Sequence, residues 1–204
     1  MADALARPTA AAAPAHEASF PRPPATIVPL WGLPIVAVVL ILEVIAIAAD
    51  RLWALDFFHV VGGALWTSLD LFLGFVVGPI LARLSLQARL EFTARLMPKM
   101  LLIMPTLVTM TLAAGWQLAR HLHYLDAAAP YHGWVVASFI VVGVLAVIAL
   151  GVLEPANLAV LFELRKPQPN GAVIARLMRR FIYTAGITGL GQVAILVIMT
   201  KLAT

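Results

Sequence analysis

Four histidines (His59, His121, His123 and His132) and two carboxylates (Glu43 and Asp70) are the residues of this 204-residue chain whose types could do chemistry in an apolar setting. Imidazole nitrogens ligate haem iron or a borderline metal such as copper. A carboxyl group inside an apolar run either takes part in proton transfer or bonds a polar residue on another helix. The chain has no cysteine, which excludes disulfides, thiolate catalysis, Cys-ligated zinc and iron–sulfur clusters. It has no HExxH motif and no Ser, His and Asp placed as a triad, which argues against a hydrolase. The fifth histidine, His16, falls in an N-terminal tail.

The elements that must position these residues follow from composition. Hydrophobic residues make up 62% of the chain and charged residues 12%, and the mean hydropathy is +0.97. A water-soluble domain has about twice that charged fraction. Five apolar runs, at about 27–49, 57–81, 100–119, 134–153 and 181–202, are each long enough to cross a hydrocarbon core. Backbone groups in lipid must be satisfied internally, so the runs are expected to be helices. The expected fold is an all-α integral membrane protein, a five-transmembrane-helix bundle in the lipid bilayer. Residues 1–26, rich in Ala and Pro, read as a disordered cytoplasmic tail and not as a signal peptide. No repeat of fixed period is present, and five spans argue against a simple inverted-repeat transporter.

Eleven of the fourteen Lys and Arg fall in the tail and in the stretches 82–99 and 155–180; only Arg51, Arg120 and Lys201 fall on the other side. The positive-inside rule then places the N-terminus inside and the C-terminus outside. The net charge of +4 reports topology, and no nucleic-acid partner is expected. Both basic stretches are expected to be partly helical. Ser85 is a candidate cap for a turn before the third span, and Pro155 should kink the fourth helix. Asn170-Gly171 suits positive φ.

With this orientation His59, His121, His123 and His132 share one layer near the outer face. A two-haem, four-helix cytochrome, which needs histidines at both membrane levels, is excluded, and at most one His-ligated haem near the outer face is allowed. Imidazole rings also sit at membrane interfaces without binding anything. His121 and His123 point about 200° apart on a regular helix, so only a frayed end would bring both to one metal. Gly63, Trp66 and Asp70 lie within about 40° of His59 on one helical stripe. Gly62 and Gly63 beside it allow either close helix packing or the flat approach of a macrocycle.

Asp70 falls near mid-span. Its candidate partners are Thr109, Thr111, Gln117, Thr188 and Gln192 on other spans. Glu43 and Asp70 could form a stepped proton path below His59, or serve as polar glue. Glu154 and Glu163 sit close to many Arg and read as ion pairs of little net value. Gly186, Gly189 and Gly191 read as close helix packing. The Met97, Met100, Met104 and Met110 series reads as core packing.

The second span, with Phe58-His59-Val-Val-Gly-Gly-Ala-Leu-Trp66 near its start and Gly78-Pro79 at its end, resembles a characteristic helix of the CopD/HemJ-like membrane proteins. Arg95-Leu-Met-Pro98, Leu112-Ala-Ala-Gly115-Trp116, Tyr131-His132-Gly133-Trp134 and Arg176-Leu-Met-Arg-Arg-Phe181 extend the resemblance from about Asp56 to Leu202. That group includes copper-resistance membrane proteins and a haem-containing protoporphyrinogen oxidase. The resemblance implies that His59 is a haem or metal ligand. The oxidase type also uses a basic residue inside a later span. Lys99 and Arg120 stand at span ends here, so that activity is not carried over.

Three functions are therefore in competition. The first is a haem-b-binding electron-transfer or oxidoreductase protein of a bacterial inner membrane, with a membrane redox partner. In it His59 and His121 are the iron ligands, Gly63 and Trp66 line the cofactor, and Asp70 and Glu43 manage protons. The second is a copper or other metal-ion protein using His59, His121, His123 and His132. The third is a non-catalytic accessory subunit of a larger membrane complex.

Overall fold

A helix that is apolar all round has no side meant for water, and α1 (Leu33–Ala49) is such a helix. Pro34 in its first turn has no N–H to waste there. Ile35, Val38, Ile41, Leu42, Val44 and Ile45 are all exposed. Its only buried residues are Glu43 and Ala46, so the one acid of this helix is turned towards the protein. The computed structural model describes residues 27–202. The tail expected over residues 1–26, with His16, lies outside them.

The described residues form helices and turns with no strand. After α1 come α2 (Leu52–Leu71), a π-helical segment (Phe72–Val77) and α3 (Gly78–Arg83), which make one rod. Then follow α4 (Leu86–His121), α5 (His132–Ile148), a second π segment (Ala149–Leu153), α6 (Glu154–Leu164) and α7 (Gly171–Leu202). Five of the resulting rods are long and apolar enough to cross a membrane: Leu30–Ala49, Leu52–Arg83, Leu86–His121, His132–Leu164 and Gly171–Leu202. α2 packs chiefly on α4, α7 packs on α2, α5 and α6, and α1 lies against α4 and α2.

The helices outrun the apolar stretches, and both basic segments are mostly helix. Ser85 caps α4, its hydroxyl accepting from Ala88 N–H at 3.3 Å. The turn at Asn170-Gly171 differs from the expected one. No described glycine has positive φ. Asn170 instead caps α7, its Oδ1 accepting from Ala172 N–H (3.0 Å) and Val173 N–H (3.2 Å). The cap satisfies donors that a helix start leaves orphaned, which outweighs the turn preference of Asn-Gly.

Each π segment runs into a proline, Pro79 or Pro155. A proline inside a helix lacks the N–H and crowds the carbonyl four residues back, here that of Phe75 or Gly151. Both carbonyls fall in the widened turns. The kink expected at Pro155 is therefore a π segment just before it. α4 carries Pro98 and Pro105 without one. There the buried Asn157 of α6 inserts its amide, donating to the Met97 carbonyl (3.1 Å) and accepting from Leu101 N–H (3.2 Å). A side chain set into the helical ladder in this way replaces a backbone partner. Met97, Met100 and Met104 join Trp66, Leu73, Leu107 and Phe181 in the core, and Met110 is buried too. This is the packing role expected of the methionine series.

Candidate functional site: two polar crossings on one helix

The His59–Asp70 stripe of α2 meets two different helices. Near its start α2 crosses α4. A Cβ on Gly62 would lie 2.8 Å from Thr111 Oγ1, and one on Gly115 would lie 2.5 Å from His59 Nδ1. Both glycines are therefore needed for the approach. His59 Nδ1 lies 2.9 Å from the Thr111 carbonyl oxygen. A carbonyl only accepts, so Nδ1 carries the proton and Nε2 of the neutral ring keeps its lone pair. The ring is half-buried.

At the same end of the bundle the α1–α2 turn is tied to the end of α4. Asp50, held in the left-handed region at φ 48°, accepts from Gln117 Nε2 at 2.9 Å and lies 3.1 Å from His121 Nδ1. The Gln117 hydrogen bond, and then His121, hold the Asp50 carboxyl below the usual carboxylate range. In the neutral His121 ring, donation from Nδ1 again leaves Nε2 free. A metal-binding histidine commonly has its other N–H fixed in this way by a carbonyl or a carboxylate. His59 and His121 both have that arrangement.

The other two histidines do not join them. His123 lies beyond the end of α4 with φ 57°; its side chain is 84% exposed and 3.6 Å from Asp126. His132 opens α5, with Nδ1 buried and unpartnered. Among the described residues no three His, Asp or Glu converge as a metal-binding group. A Cβ on Gly63 would make ordinary contact with Thr111 Cγ2 at 3.5 Å, and Trp66 is buried in the core. α4 thus covers the Gly62–Gly63 face. A macrocycle on His59 would have to lie on another side of the ring.

Three turns further on, the same helix crosses α7. Asp70 is fully buried. Its Oδ2 accepts from Thr188 Oγ1 and Gln192 Nε2, both at 3.0 Å. Of the five candidate partners these two are the ones it meets. Gln117 is engaged with Asp50, Thr111 bonds back to the Leu107 carbonyl, and Thr109 is exposed. Thr188 Oγ1 also lies 2.9 Å from the Ala185 carbonyl. It can turn its single proton to that carbonyl and accept from a protonated Asp70, or donate to a carboxylate.

Asp70 Oδ1, Gln192 Oε1 and Trp66 Nε1 are buried without partners. The Trp66 indole is close enough to act on the Asp70 carboxyl without completing a hydrogen bond. One turn later, a Cβ on Gly74 would lie 2.4 Å from Gly186 Cα, and one on Gly189 would lie 3.0 Å from Leu71 N. This is the close packing expected of Gly186 and Gly189. Gly191 similarly abuts Leu145: a Cβ there would lie 2.8 Å from Leu145 Cδ2.

Glu43 is 2% exposed on α1, near the backbone of Ala114, with Oε1 unpartnered. It therefore meets the α4 segment that also holds His59, and not the α7 face of Asp70. Glu163 pairs with Lys166. Glu154 differs from the expected ion pair: its Oε2 is buried without a partner, on a small space lined by Met104, Pro105 and Phe181. Its position just after the π segment turns it into the bundle and away from the arginines. Sequence reasoning had no access to Asn157 or Glu154 as interior polar groups, because both sit beside a basic stretch that reads as surface.

Comparison with protein-family models, with curated proteins and with solved structures found no match to this chain.

Proposed function

We propose that this chain is a multi-pass membrane protein that binds one haem b near its outer face, with His59 as iron ligand and His121 as the second. The supporting observation is the pair of anchored imidazoles on adjoining helices at one end of the bundle: Nδ1 of His59 on the Thr111 carbonyl, Nδ1 of His121 on Asp50. Each leaves Nε2 as the ligating nitrogen. His121 lies six residues beyond Gly115, about 9 Å along α4. The haem would supply one-electron redox chemistry at that end of the bundle.

The protein's own contribution is placement and proton handling. Thr111 and Asp50 fix the two ring orientations. Asp70 offers a buried carboxyl with an oxygen to spare, and Thr188 can reverse its hydrogen bond as the proton comes and goes. The asymmetry of Lys and Arg supports an N-inside, C-outside orientation in a bacterial cytoplasmic membrane. The polar contacts of Glu43 and Asp70 also suit a packing role in a non-catalytic subunit, and the same experiment separates the two.

The test is a reduced-minus-oxidised absorption spectrum of the detergent-purified protein, expressed with haem supplied. A Soret and an α band that His59→Ala abolishes are expected. No band in the unaltered protein overturns the haem reading. Bound copper without a band, lost when His59 and His121 are replaced together, would point to metal-ion handling.

A further inference from the structure

We propose that the basic end of the bundle carries a binding cleft for an anionic phospholipid, seated between α3 and α7. A cavity of about 400 Å³ opens there. Its walls include Gly74, Gly78 and Ile182, and its polar rim is Arg89, Arg179 and Tyr183. No carboxylate lines it. Among the described residues neither arginine forms an ion pair.

Arg89 comes from the first turn of α4. One of its terminal nitrogens, Nη2, donates to the Ala82 and Leu84 carbonyls, both at 3.3 Å, which pins the guanidinium across the α3–α4 turn. Its Nε is buried without a partner. A buried guanidinium donor left open beside a cavity is costly unless an acceptor comes to it. Arg179 and Tyr183 are one turn apart on α7 and therefore project on the same side. Arginine forks match phosphate oxygens, and tyrosine suits the headgroup level.

The cavity joins this polar rim to an apolar wall. Gly74 and Gly78 line it on the side of the α2–α3 rod, and Ile182, Pro79 and Met178 complete that wall. A free anion would use only the rim; a lipid would use both. Basic pockets between helices at this level are suited to acidic headgroups. The proposal rests on the orientation given above only for which leaflet supplies the lipid, and it is independent of whether haem binds.

The experiment is native mass spectrometry of the full chain in detergent, titrated with phosphatidylglycerol or phosphatidylcholine. The expected result is retention of phosphatidylglycerol in preference to phosphatidylcholine. Arg179→Gln should weaken that retention about fivefold, the effect of one basic residue at a membrane surface. Ala175→Phe, which fills the cleft and keeps its charges, should weaken it comparably. Arg176→Gln, outside the cleft, should change nothing. Arg89→Gln is left out because Arg89 also holds the α3–α4 turn. Equal retention of both lipids would overturn the proposal, as would equal loss in Arg176→Gln. Displacement by inorganic phosphate at the lipid's own concentration would also overturn it, since the apolar wall would then play no part. The band in the absorption spectrum should be the same in Arg179→Gln and in the unaltered protein.

Discussion

The two crossings of α2 use the same device for different ends. At α4 and at α7 alike, glycines bring backbones close and one polar side chain of α2 reaches over. At α4 that side chain is His59, and it is anchored on a main-chain carbonyl. Backbone atoms of a helix are fixed by the ladder, so the ring is held in one pose. At α7 the side chain is Asp70, and its partners are a hydroxyl and an amide. Both partners can turn, and three buried polar atoms around them stay unpaired. The first crossing orients a ring; the second accommodates a change in protonation.

The largest effect is expected at the α7 crossing itself. Gly74→Leu puts atoms into the Gly186 backbone, which cannot yield as a side chain can. A loss of about 3 kcal/mol or more is expected, at the upper end of overpacking costs. Gly143→Leu is the control, because a Cβ at Gly143 meets nothing within 4 Å. Unfolding titrations in detergent should separate the two variants; similar midpoints would show that the helices do not touch at Gly74.

The next effect in size concerns Asp70. Asp70→Leu leaves the buried Gln192 amide without its acceptor, which should cost about 1–3 kcal/mol. Asp70→Asn retains an acceptor oxygen and should stay within about 1 kcal/mol of the unaltered protein. If the polar centre were simply packing, Asp70→Leu would be the better tolerated of the two.

At the α4 crossing the expected effects are smaller and more specific. Gly115→Ala drives a methyl into the His59 ring and should cost about 1 kcal/mol through loss of the Thr111 hydrogen bond. Thr111→Val leaves the carbonyl in place and should leave the ring where it is. The His59 imidazole resonances, read by NMR in both variants, distinguish a backbone anchor from a side-chain one. A Thr111→Val spectrum as disturbed as that of Gly115→Ala would contradict the backbone anchor.

The smallest effect is a pH dependence at Asp50. Its carboxyl is held below its unfolded value by Gln117 and His121. The stabilisation is therefore present above the unfolded value, about pH 4, and lost as pH falls through the lowered one. The difference in Tm between the protein and Asp50→Asn should be visible at about pH 6 and should shrink towards about pH 3. A difference that stays constant over that range would mean the carboxylate charge contributes nothing.

What could be read from the residues alone was periodicity and cost. The five rods follow from apolar length. The Asp70–Thr188–Gln192 contact follows from the cost of leaving an acid unpartnered in an apolar run, and Thr188 and Gln192 were among the few polar residues able to meet it. The packing glycines of α7 were legible as small residues within an apolar run. The histidines were legible as candidates but not as a constellation, and no three of them converge among the described residues. Helical spacing does not tell which neighbour a ring turns to: His123 is exposed beside Asp126, and His132 buries an unpartnered Nδ1. Glu154 was read as an ion pair because many Arg lie near it in sequence, and Asn157, buried beside the same basic stretch, carried no signal of its own. The π segments were not anticipated, since a proline marks where a ladder fails and not how the helix repairs it.

The π segment after Asp70 can be viewed as one extra residue spliced into a regular helix. Its removal has a geometric consequence. Deleting a single residue between Phe72 and Val77 would restore an α-helix and rotate everything beyond it by about 100°. Asp70 would keep its place, while Gly78 would swing off Ile182 and the cleft wall would turn with it. The length of this one loop of helix thus acts as the phase setting between the two halves of the rod. A one-residue deletion there should be far more disruptive than most single substitutions in the same helix.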